Sequence, residues 1–175
     1  MRWRSKQKIS ASEVAQKFLN STLRMLAACW PEMARKLSPL VLIPEAHLRS
    51  EEARRHVYLS IVSTHYCELH NFFGPSVAQS LRQGIWHGLT RHDDRPGELL
   101  MDYIETMAAA DEQSGRSFSV AAAALYEKLG GNFILGDGLN KMASPTATRA
   151  LTEIFFLQDV TWWRQLQTEY KVVVG

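Results

Sequence analysis

Apolar residues recur at three- and four-residue steps through nearly every long stretch of this chain, and two-residue alternation is almost absent. The first pattern turns one face of an α-helix toward a core; the second would mark a strand with one buried side. The chain is therefore expected to be all-α, a compact bundle of five to seven helices with no substantial sheet. Its 175 residues suit one domain, read as a helical domain over 10–175 behind a basic mobile arm over 1–9. A domain of this size buries roughly 70% of the surface its unfolded chain exposes, so it can stand without metal or disulfide.

Local signals place the helices. Ser10-Ala11-Ser12-Glu13 has the form of a capping box, and the helix it opens should run to about Trp30. Pro31 stands where that helix must end or restart. Leu40–Ile43, between Pro39 and Pro44, reads as a buried extended linker, because a lone strand would have no partner. A second major helix starts near Ser50, with Glu51 and Glu52 at its positive end, and stops at Gly74-Pro75. A third covers Ser76–Arg91 and a fourth Pro96–Ala110. Ser119 opens a short helix over Val120–Leu129, closed by Gly130-Gly131. Residues 132–143 read as irregular, with a turn at Gly136–Gly138. Ser144-Pro145 opens the last helix, which should reach Tyr170, with Val172–Val174 docking beyond it.

Hydrophobic residues make up 46% and charged residues 22% of the chain, so disorder is expected only at the ends. The formal charge of +2 is too small to point to nucleic acid. Arg2, Arg4, Lys6 and Lys8 with Trp3 could touch phosphates, but so short an arm reads first as a solvated terminus. The nearest approach to a helix-turn-helix is Ala121–Leu139, and its would-be recognition segment, Ile134–Met142, has two glycines and one lysine, poor equipment for a major groove. Cys29 and Cys67 both fall inside helices and read as free thiols in a reducing compartment. The basic start has no apolar h-region, and no stretch reaches the ~18 apolar residues of a membrane span. The cytosol is the expected setting.

Chemistry concentrates between Glu51 and Phe73. On one continuous helix His56, Ser60, Ser63, Cys67 and His70 share a stripe, while Val57, Ile61, Leu69, Phe72 and His65 lie opposite. Imidazole and thiolate ligate transition metals, so His56, Cys67 and His70 form a candidate metal set, although the usual short Cys/His spacings are missing. His65 on the apolar side could serve as a base or an axial haem ligand, or bond a carbonyl in the core. A di-iron site is rejected, because Glu68-Leu69-His70 and Glu52…His56 both miss the Glu-x-x-His spacing. Gly84 and Gly88, four apart on the third helix beside Trp86, suit close approach of another helix ahead of a ligand gap. Gly130–Gly138 fails as a phosphate loop, since a helix precedes it and the glycine spacing differs. His92-Asp93-Asp94 reads as a polar turn.

Trp162-Trp163, with Phe155, Phe156 and Tyr170, crowd one helix with aromatics that cannot all face one core. Phe156, Trp162 and Trp163 are therefore the candidate interface, most simply with a second copy of the chain. Two function classes follow. The first is a non-enzymatic ligand- or protein-binding, regulatory module acting as a homodimer through that surface. The second is a protein dependent on a transition metal or haem. Its pocket would lie between the second and third major helices, holding cofactor beside His65, Trp86, Gly84 and Gly88.

Overall fold

The computed structural model describes residues 6–91, 94–114, 117–131, 134–135, 141–142, 145–155 and 161–174. Among them are eight α-helices, one of a single turn, and two minimal two-stranded sheets. The fold is all-α as expected, with slightly more helices than five to seven. No helix among the described residues is long and apolar enough to cross a membrane.

Helix α1 (Ala11–Val41) starts on the expected capping box. The Glu13 amide donates to Ser10 Oγ at 3.2 Å, and the Ser10 amide donates to Glu13 Oε2 at 3.4 Å. It does not stop at Pro31 but continues through Pro31 and Pro39. A proline inside a helix costs about 3 kcal/mol through its missing N–H and ring clash. Beyond Pro31 the buried stripe is extended by Ala34, Leu37 and Val41, and Trp30 donates Nε1–H to the carbonyl of Leu48 at 2.9 Å. Burying each large side chain contributes about 1.5–3 kcal/mol, enough together to outweigh the break. Leu40 and Val41 are thus helix rather than linker. Leu42, at φ 57°, ends the helix in the left-handed region, and Ser38 Oγ donates to the Ile43 carbonyl at 2.7 Å.

The single turn α2 (Glu45–Leu48) leads into α3 (Glu51–Glu68), whose Ser50 side chain accepts from the Ala53 amide at 3.1 Å. Every residue from His56 to His65 is buried. Helices α1, α2, α5, α6 and α7 all pack on α3, which is the central element. The stripe is therefore interior from His56 to Ser63, while Cys67 and His70 beyond it are not fully covered. Its hydroxyls bond back along their own helix: Ser60 to the Val57 carbonyl, and Ser63 and Thr64 to the Ser60 carbonyl, at 2.8–2.9 Å. A hydroxyl paired this way can be buried without an orphaned donor. The run from 51 to 73 is also broken, because Leu69–Asn71 tighten into a 3-10 turn.

Helix α4 (Pro75–Thr90) packs chiefly on α1, while α5 (Arg95–Ser114) and α6 (Ser117–Lys128) close around α3. Gly130, at φ +75°, and the amides of Gly130 and Gly131, bonded back to Glu127 and Tyr126, finish α6 as expected. The last expected helix is seen as α7 (Pro145–Phe155) and α8 (Thr161–Glu169). Strand β4 (Tyr170–Val173) then pairs in parallel with β1 (Gln7–Ser10), so Gln7–Ile9 belong to a strand rather than to a mobile arm. Between them, β2 (Ile134–Leu135) and β3 (Lys141–Met142) form an antiparallel pair. The turn read at Gly136–Gly138 lies outside the described residues.

The glycines of α4 seat it on α1. A Cβ on Gly84 would stand 2.8 Å from Ala15 Cβ, which is fixed to the α1 backbone, and one on Gly88 would stand 2.6 Å from Leu19 Cδ1, a movable side-chain end. Gly84→Ala is expected to destabilise by about 1–3 kcal/mol, because the helices must separate. For Gly88→Ala the ~1 kcal/mol gain in helix propensity offsets a small rotation of Leu19, leaving stability nearly unchanged. Urea denaturation of the two variants checks this contrast.

Candidate functional site

The structure sends the histidines of α3 to different neighbours. His56, 9% exposed, shares a hydrogen bond with Tyr103 of α5, with 3.3 Å between Nδ1 and the phenol oxygen. His65 accepts Trp163 Nε1–H on its Nδ1 at 3.0 Å, and Phe18 of α1 meets its ring edge-on with centroids 5.3 Å apart. An indole can only donate, so neutral His65 carries its proton on Nε2. His70 is exposed, and its Nδ1 lies 2.8 Å from the carbonyl of Cys67 at the end of α3. Arg82 of α4 also donates to this end, to the carbonyls of Tyr66 at 3.2 Å and Cys67 at 3.4 Å. His56, Cys67 and His70 are therefore not gathered around one point. No group of three or more His, Cys, Asp or Glu among the described residues is placed to hold a metal ion.

The expected pocket beside His65, Trp86, Gly84 and Gly88 is not assembled either. Helix α1 fills the space over both glycines, and the Trp86 ring lies against Gly97 at the start of α5. Close packing accounts for the glycine pair. Trp163 is fully buried, stacked on Phe18 at 4.9 Å, so it belongs to the core rather than to an exposed interface. Trp162 is half-buried against Phe18 and Trp163. Phe156 and His92 lie outside the described residues.

A cleft opens between α1 and the first two turns of α3, with Gly88 and Leu89 at the end of α4 and Pro96 at the start of α5 closing one side, so of the expected pocket residues Gly88 alone borders it. Its volume is about 510 Å³, within the roughly 300–1,000 Å³ range of small-molecule sites. Leu23, Leu26, Leu59 and Leu89 give it apolar walls. A second hollow of about 200 Å³ runs on along α1 past Trp30 and Pro31, and Leu26, Ala27 and Arg54 line both. Pro31 has no N–H to donate to the carbonyl of Ala27, so the helix ladder is interrupted in this wall.

No protein-family model, curated protein or solved structure matches this chain.

Polar groups in the cleft come from α3. Arg55 faces Glu51 at 3.8 Å, and Arg49, beside the smaller hollow, pairs with Glu45 at 2.7 Å. Arg54 has no ion pair among the described residues. Tyr58 is only 9% exposed, and its hydroxyl has no hydrogen-bond partner among the described residues. Burial pushes the Tyr58 phenol up, so at neutral pH it remains a donor. The sequence signal for this site was the four-residue spacing of Glu51–Arg55 and Arg54–Tyr58, which puts each pair on one side of a helix. The histidine stripe on the same helix carries more familiar metal chemistry and outweighs it in the sequence alone.

Burial lowers the pKa of His56, with Glu52 opposing and Lys128, Arg55 and Arg95 adding to the shift. The folded state thus resists protonating His56 more than the unfolded state does. Its contribution is complete above the ordinary value of 6.5 and declines as pH falls below it, since the unfolded chain then binds more protons. Between about pH 7.5 and pH 5 the wild type should lose more stability than His56→Gln. Denaturant melts of both proteins across that range give the difference in slope.

Proposed function

We propose that this chain is a non-enzymatic binding module whose ligand site is the cleft between α1 and α3. The observation that carries the reading is Tyr58: a nearly buried phenol without a hydrogen-bond partner among the described residues, set in a leucine-walled hollow of small-molecule size. That hydroxyl is not sealed from solvent, and a ligand that accepted from it would gain a hydrogen bond worth about 0.5–1.5 kcal/mol. The leucine walls supply area for an apolar body, and the few polar groups supply orientation. The alternative cofactor reading has less behind it, since its residues are dispersed among Tyr103, Trp163 and the carbonyl of Cys67.

A neutral apolar dye such as Nile red tests the cleft. Its emission should rise on addition of the protein. Ala27→Trp should abolish the rise, because Ala27 is exposed in the wall common to both hollows and an indole there fills them without entering the core. Circular dichroism would confirm that the variant is folded. Equal enhancement by wild type and a folded Ala27→Trp would overturn the assignment.

A further inference from the structure

We infer that the cleft takes a small amphiphile with a single anionic head, a medium-chain aliphatic carboxylate, with the head at Arg54 and Tyr58 and the chain on the leucines. The inference rests on the reading of the cleft as a ligand site and names the ligand class.

Charge decides the sign of the head. The lining of the two hollows holds three arginines, and the acids beside them are Glu51 and Glu45. Glu51 faces Arg55 and Glu45 faces Arg49. Arg54 has no counter-charge among the described residues, and it lines both hollows. A guanidinium presents a planar fork of N–H donors that matches a carboxylate.

A second, independent observation points to the same acceptor. The Tyr58 hydroxyl belongs to a residue more than nine-tenths buried, lies in the cleft wall and is without a protein acceptor among the described residues. Arg54 and Tyr58 are four apart on α3, so they are neighbours on one side of the helix. Two donors on one side and no free acid between them favour an anion over a cation. Apart from the Glu51–Arg55 pair at one edge, the remaining wall is apolar, built from Leu23, Leu26, Leu59 and Leu89 with Ala27, Gly88 and Pro96. It fits methylenes rather than a sugar or a nucleotide, whose hydroxyls and phosphates would go unpaired there.

The test displaces Nile red from the full chain with decanoate, 1-decanol and decyltrimethylammonium, each below its aggregation limit. Decanoate should compete best. Octanoate and hexanoate should follow in order, with binding changing up to about fourfold per methylene. Arg54→Gln, an exposed substitution, should weaken decanoate about tenfold and leave decanol unchanged. Tyr58→Phe should weaken decanoate about threefold or more. Decanol or the ammonium competing as well as decanoate, or Arg54→Gln leaving decanoate's advantage intact, would overturn the anion while the cleft still binds dye. Failure of the cleft itself is separate: dye emission that Ala27→Trp does not change.

Discussion

The structure depends on burying ten consecutive residues of α3, five of them polar: His56, Ser60, Ser63, Thr64 and His65. A central helix is usually apolar all round. Each unpaired polar group here would cost about 1–3 kcal/mol, a large share of a marginal total stability. The hydroxyls meet this demand locally, through carbonyls three or four residues back. The imidazoles cannot reach their own backbone so easily and take partners from distant helices, Tyr103 of α5 and Trp163 of α8. Those two bonds form only when α5 and α8 dock in the right position. The histidines therefore specify the arrangement of the bundle, which is a structural use of residues that looked chemical.

The same arrangement explains where an open surface remains. Neighbouring helices take up α3 from His56 to His65, so open surface is left over its first two turns and at its last three residues, Tyr66–Glu68. Helix α1 runs past those turns and past two prolines, held by Trp30 on the Leu48 carbonyl. Near the start of α1, at Ala15 and Leu19, Gly84 and Gly88 bring α4 tightly against it. The hollow between α1 and α3 lies where this close packing gives way to leucines and arginines.

Much of the fold was legible because it follows from local chemistry. The all-α class came from the spacing of apolar residues, and the capping box at Ser10, the cap at Ser50 and the glycine stop at Gly130 are each read over four or five residues. What was not legible depends on long-range contacts. The run of α1 through Pro31 is set by burial of Leu37 and Val41. The parallel pairing of Gln7–Ser10 with Tyr170–Val173 joins segments from opposite ends of the chain. The inward direction of the His56 stripe is set by α5 and α6, since a periodic pattern divides a helix into two sides without saying that both will be covered. Trp162 and Trp163 illustrate the same limit: adjacent aromatics do diverge, and the fully buried one is the one that meets His65.

Native-state hydrogen exchange measures the central position of α3 most directly. Amides from Val57 to His65 are expected to be the slowest in the protein, exchanging only when the whole chain unfolds and tracking its global stability with added denaturant. Exchange of those amides by local opening, at the rates of the outer turns of α5 or of the terminal strands, would contradict a bundle organised around this helix.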